Sequence, residues 1–78
     1  MREVRLYGKP GCHLCEIAED MLEDLRDEFP FSLVQVDITA DPTLFDLYRY
    51  EIPVVVLPEG QSVRGRVTID QIRALLAS

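Results

Sequence analysis

Cys12 and Cys15, the only two cysteines of the chain, stand three residues apart. A disulfide closing so short a loop constrains the unfolded chain very little, because the entropic gain grows with loop length. The pair is therefore a poor staple and a good candidate for thiol–disulfide exchange. At the start of a helix, residues i and i+3 share one face, close enough for their sulfurs to bond. The free N–H groups and positive dipole end there favour a thiolate on the first cysteine, and the thiolate is the nucleophile. Cys12 is thus assigned as the attacking thiol and Cys15 as the resolving one. His13 lies next to Cys12 and, when protonated, would tune it further toward the thiolate. Lys9 is the only lysine in the chain, three residues before Cys12, and would attract an anionic substrate. A metal site is not expected: structural zinc takes about four ligands, and the chain offers one cysteine pair and one histidine lying between them. Residue 16 is Glu, so the c-type haem pattern lacks its histidine.

The elements that must position this pair belong to one small domain, residues 1–78. The chain is 47% hydrophobic and 28% charged, with four glycines, which is ordinary for a globular protein and speaks against disorder. Its net charge is −6, and seven of the fourteen acidic residues fall between positions 16 and 28. That balance disfavours nucleic acid and anionic membrane surfaces as partners, and the acidic run reads as a solvated helix face. No apolar stretch approaches the roughly 18 residues of a membrane span. The first ten residues, MREVRLYGKP, hold no signal-peptide core, so a cytoplasmic location is expected. Reducing conditions there favour a redox-active over a structural CxxC. Monomer is the default for such a domain.

Glu3 to Tyr7 reads as a strand with Val4 and Leu6 on one face and Arg5 and Tyr7 on the other. Gly8-Lys9-Pro10-Gly11 breaks it. A long helix then carries Leu14, Ile17, Ala18, Met21, Leu22, Leu25 and Phe29 on its apolar face until Pro30 stops it. Phe31 to Ile38 is expected as a strand buried on both sides. Asp41-Pro42 is an N-cap followed by proline at the first helical position, opening a short helix with the stripe Leu44, Leu47 and Tyr48. Pro53 opens a third strand, Val54 to Leu57. Pro58-Glu59-Gly60 turns into a fourth strand, Gln61 to Val67, expected antiparallel. Thr68 with Gln71 is a capping-box signature for a last helix whose Ile69, Ile72, Leu75 and Leu76 face the core. The order β-α-β-α-β-β-α predicts an α/β domain with a four-stranded mixed sheet and helices on both faces.

The segment Leu6-Tyr7-Gly8-Lys9-Pro10-Gly11-Cys12-His13-Leu14-Cys15 resembles the active-site segment of glutaredoxins and glutaredoxin-like proteins. Val36-Asp37-Ile38 followed by Asp41-Pro42 is similar to their second strand and its exit. Ile52-Pro53-Val54-Val55-Val56 resembles their strand opened by a cis-proline, and Arg64-Gly65-Arg66 leads into Thr68 where they have a glycine turn. The resemblance implies the thioredoxin-like fold, a cis Ile52–Pro53 bond beside the CxxC, and substrate binding by Ile52, Pro53 and Arg66 together with Lys9. The backbone of Ile52 would pair with an extended substrate. The implied activity is reduction of protein disulfides or glutathione-mixed disulfides, with glutathione or thioredoxin reductase as the reductant and no bound cofactor. Some departures bear on glutathione: His13-Leu14 replaces the family's Pro-Tyr, Glu51 replaces a threonine, and Asp70 is displaced into the first turn of the last helix. The chain has no Trp, unlike thioredoxins proper. An alternative the resemblance leaves open is an iron–sulfur-cluster or glutathione-binding module that uses Cys12 without dithiol turnover.

Overall fold

The first strand, with its alternating apolar and polar side chains, is one of the two inner members of the sheet. The computed structural model describes residues 2–77. Strand β1 (Arg2–Gly8) pairs in parallel with β2 (Phe31–Asp37) and antiparallel with β3 (Val54–Val56), and β3 pairs antiparallel with β4 (Ser62–Arg64). The sheet order is β2-β1-β3-β4. Helices α1 (His13–Leu25), α2 (Pro42–Tyr48) and α3 (Ile69–Ala77) complete the expected order. Among the described residues no helix is long and apolar enough to cross a membrane.

The two sheet faces are covered unequally. Val4 and Leu6 of β1 and Val55 of β3 point to one face and pack with Ala18, Leu22 and Leu25 of α1 and with Ile72 and Leu76 of α3. Each such Val, Leu or Ile side chain removed from water stabilises the fold by about 1.5–3 kcal/mol. Tyr7 points to the other face, in one row with Val36, Val54 and, across β3, Arg64. Helix α2 lies on that face, its Tyr48 ring 4.9 Å from the Tyr7 ring.

Local signals set the helix starts. Asp41 caps α2, its carboxylate accepting from the Thr43 N–H at 2.9 Å, with Pro42 supplying the preset φ of the first turn. Thr68 and Gln71 form the expected reciprocal box: the Gln71 N–H donates to Thr68 Oγ1 at 3.1 Å, and the Thr68 N–H to Gln71 Oε1 at 2.8 Å.

Several expected boundaries move. Helix α1 ends at Leu25 rather than running to Pro30. Proline bars Phe29 from helical geometry, and the last turn tightens into i→i−3 bonds, Asp27 N–H to Asp24 and Glu28 N–H to Leu25. Phe29 then packs on the core from outside the helix. Strand β2 stops at Asp37, and Ile38 opens a short 3₁₀ turn, Ile38–Ala40. Strand β2 is also an edge strand in which Phe31 alone is fully buried, so the double burial expected of it does not occur. No residue of α2 is fully buried, and Leu47 of its expected stripe is 58% exposed, because this short helix covers only part of its sheet face. Strand β4 is limited to Ser62–Arg64, since Gly65 turns away with φ +69° and donates its N–H to the Pro53 carbonyl at 2.9 Å.

Candidate redox site

The cysteines are delivered by a turn whose residues suit it. The Cys12 N–H donates to the Lys9 carbonyl at 3.3 Å, closing a four-residue turn with Pro10 second and Gly11, φ +80°, third. Proline presets the first central φ, and glycine accepts the left-handed one, which is the type II pattern. Cys12 emerges extended, φ −89° and ψ 107°, as the N-cap of α1. Its Sγ accepts from the Cys15 N–H at 3.2 Å, and its carbonyl accepts from Glu16 N–H at 3.1 Å.

Cys12 and Cys15 are joined by a disulfide, with Cα atoms 5.2 Å apart. The two ends of the bridge differ in access. Cys12 is half-buried at the rim, whereas Cys15 is 7% exposed and faces the core side of α1. A first-turn N–H aimed at the outer sulfur would stabilise negative charge there once the bridge is opened. The arrangement therefore suits an accessible nucleophile backed by a shielded second thiol.

Gly8 has a role that its sequence reading as a strand breaker did not reveal. It lies within β1, and a Cβ there would sit 3.0 Å from Cys15 Sγ and 3.1 Å from Cys15 Cβ. The bare backbone lets the inner cysteine pack directly on the strand end.

The other sequence candidates gather at the same end of the sheet. The antiparallel register pairs Leu6 with Val55 and Tyr7 with Val54, and Gly8 and Pro53 are the next residues of the two segments toward the CxxC. The Ile52–Pro53 peptide bond is cis. The Ile52 N–H donates to the Tyr48 carbonyl at 3.1 Å, so this donor is already taken within the chain. Gly65, bonded to the Pro53 carbonyl, brings exposed Arg66 alongside. Behind Pro53, Arg64 pairs with Glu51 at 2.6 Å and lies 5.9 Å from the centre of the Tyr48 ring. Glu51, a departure from the family pattern, is thus tied to a neighbouring strand.

Lys9 is exposed on the opposite side of the CxxC, where it borders a cavity of about 320 Å³ with Cys15, Glu16, Glu19, Gln35 and Asp37. The Asp37 carboxyl is held below its ordinary range by the Thr39 hydroxyl, 2.6 Å away, and by the Thr39 N–H at 2.9 Å. His13 is solvent-facing, its side chain 84% exposed and Nδ1 3.7 Å from a Glu16 carboxylate oxygen. Among the described residues no three His, Cys, Asp or Glu side chains gather as metal ligands. An iron–sulfur cluster takes about four thiolate ligands; the chain has two cysteines, which would supply two of them only once their bridge is reduced.

Comparison with known proteins gives the same picture from outside. Residues 3–77 match the family described as Glutaredoxin-like domain (DUF836). The "Glutaredoxin-like protein YDR286C homolog" of Dictyostelium discoideum is 24% identical over 75 residues, spanning 88% of this chain and 69% of that protein. The X-ray structure of the structural-genomics target XcR50 from X. campestris superimposes with a TM-score of 0.82 at 28% identity, covering 95% of each chain. A mutant thioredoxin from Halobacterium salinarum superimposes with a TM-score of 0.76 at 20% identity over 95% of this chain and 70% of that one, a likeness of fold. A match to a glutaredoxin-like family together with a CxxC pair at the start of the first helix supports a redox role. With a match running through β1, the CxxC helix, the Pro53 strand and α3, this chain belongs to the glutaredoxin-like domain family.

Proposed function

We propose that the chain is a thiol–disulfide oxidoreductase that reduces protein disulfides or glutathione-mixed disulfides by dithiol exchange. The observation that carries this reading is the asymmetry of the bridge: a rim sulfur that accepts a helix N–H, and a buried partner one turn further in. In the reduced protein the Cys12 thiolate attacks one sulfur of the substrate disulfide. A Cys12–substrate bond forms, the substrate S–S bond breaks, and the other substrate sulfur leaves as a thiolate that takes up a proton. Cys15, deprotonated, then attacks Cys12 Sγ and displaces the second substrate thiol. The substrate gains two electrons and two protons, and the Cys12–Cys15 bridge is left. Two molecules of glutathione, or thioredoxin reductase, return the two electrons. Lys9, Ile52, Pro53 and Arg66 surround the attacked disulfide in this reading, and His13 adds to the positive field near Cys12 when protonated. A reducing cytoplasm is the compartment in which such a cycle runs forward.

Replacement of the inner thiol tests the order of events. Cys15→Ser should accumulate a covalent Cys12–substrate adduct, visible by mass spectrometry under non-reducing conditions, while Cys12→Ser should form none. Adducts on Cys15 in the Cys12→Ser variant, at the rate seen for Cys12, would contradict the assignment.

A further inference from the structure

The Pro53 end of the sheet carries a surface that thiol exchange leaves unused. Leu47 and Tyr50 are the exposed large apolar side chains of the described residues, at 58% and 86%. They stand three residues apart, Leu47 in the last turn of α2 and Tyr50 in the turn that follows it. Tyr50 is three residues before Pro53. Between them in sequence, the Arg49 guanidinium lies 4.7 Å from the Tyr50 ring centre and 5.7 Å from that of Phe45.

Charge sets this side of the CxxC apart from the other. Arg5, Arg26, Arg64 and Arg73 each hold a carboxylate. Among the described residues Arg2, Arg49 and Arg66 hold none; Arg2 donates to the Leu76 carbonyl at 3.2 Å, whereas Arg49 and Arg66 stay uncompensated although Asp46 is only three residues from Arg49 and the chain carries a net charge of −6. On the far side, Lys9 is outnumbered by Glu16, Glu19 and Asp37 around the cavity. The redox site thus sits at a boundary between an acidic side and a side with two uncompensated cations and an apolar pair.

We propose that the Leu47–Tyr50 face docks a polypeptide partner bearing carboxylates and an apolar side chain to one side of the disulfide it presents. The carboxylates meet Arg49 and Arg66, and the apolar side chain covers Leu47 and Tyr50. The inference rests on the dithiol reading for the disulfide itself and deepens it by naming the substrate class. Exposed apolar side chains next to uncompensated cations suit a protein surface that offers both kinds of contact. Opposite signs on the two sides of the CxxC also fix the direction in which the partner lies.

The test uses the oxidised full chain, isotope-labelled for NMR, and two short peptides matched in their apolar residues. Both carry serine in place of cysteine, one flanked by Asp and Glu and the other by Lys and Arg. The acidic peptide should bind about tenfold more tightly at low salt and shift the amide signals of Leu47, Arg49, Tyr50 and Arg66. That preference should shrink at high salt and in Arg49→Gln, and Leu47→Ser with Tyr50→Ser should weaken binding of both peptides. Equal binding of the two peptides, or signals that move only around Lys9 and Glu16, would overturn the proposal. Neither peptide contains sulfur, so this result is independent of the thiol chemistry, whose failure would show in the Cys15→Ser adduct experiment.

Discussion

The two faces of the sheet obey different rules. On the α1–α3 face, Leu22, Leu25 and Ile72 are fully buried against Val4, Leu6 and Val55, and the inner cysteine is buried on the same helix beside Gly8. On the α2 face, a seven-residue helix rests on the sheet through Tyr7 and Tyr48 without one fully buried side chain of its own. The first face fixes Cys15 in place. The second leaves aromatic and cationic groups open beside Pro53. Rigid support on one side and recognition surface on the other is a division that a domain this small can sustain only by concentrating its packing energy in one layer.

The largest test of that contrast is a pair of truncations of the same residue type. Leu22→Ala, in the packed layer, should destabilise the fold by about 2–5 kcal/mol. Leu47→Ala should change stability by no more than about 0.5 kcal/mol. Chemical denaturation of both variants checks this, and comparable losses would erase the distinction between the faces.

Gly8→Ala sharpens it at the junction with the site. A methyl group 3.0 Å from Cys15 Sγ overpacks the strand end at a cost of about 1–3 kcal/mol. Stiffening the unfolded chain returns at most about 1 kcal/mol. A net loss of stability is therefore expected, and it should be smaller in the reduced protein, where the freed Cys15 side chain can rotate away. An Ala variant as stable as the parent in both redox states would show that Gly8 is not needed for this packing.

The smallest effect concerns Asp37 at the exit of β2. Its carboxyl titrates below the ordinary range because the Thr39 hydroxyl, and then the Thr39 N–H, bond its charged form. A carboxyl depressed in the folded state adds stability that is fully present above its unfolded value, about 3.9, and that fades as pH falls through the lower folded value. Thr39→Ala should move the Asp37 titration back up, read by NMR of its carboxyl carbon, and remove a small part of the stability seen at neutral pH. An unmoved titration would mean that the hydroxyl contributes nothing.

The strongly packed face was the legible one. Three- and four-residue spacing from Leu14 to Leu25 marks the buried side of α1, and Thr68 with Gln71 marks the start of α3, because both signals are local and periodic. The expected double burial of β2 failed for a non-local reason: its β-branched run is compatible with a central or an edge position, and only the sheet order decides. Leu47 failed in the same way, since an apolar stripe does not disclose whether a surface will cover it. In the site, Cys12, Cys15 and the cis Ile52–Pro53 bond follow from spacing and family resemblance. The contact of Gly8 with Cys15 does not, because a missing side chain leaves no pattern to read. Nor do the free cations Arg49 and Arg66, which stand out only once Arg5, Arg26, Arg64 and Arg73 are seen to hold carboxylates and Arg2 a backbone carbonyl.

The central assignment is that Cys12 is the nucleophile, and the most direct measurement is competitive alkylation of the fully reduced protein at neutral pH, with the modified cysteine located by peptide mass spectrometry at short times. Modification of Cys12 well ahead of Cys15 is the predicted result. Equal rates at both cysteines, or faster reaction at the buried Cys15, would contradict it.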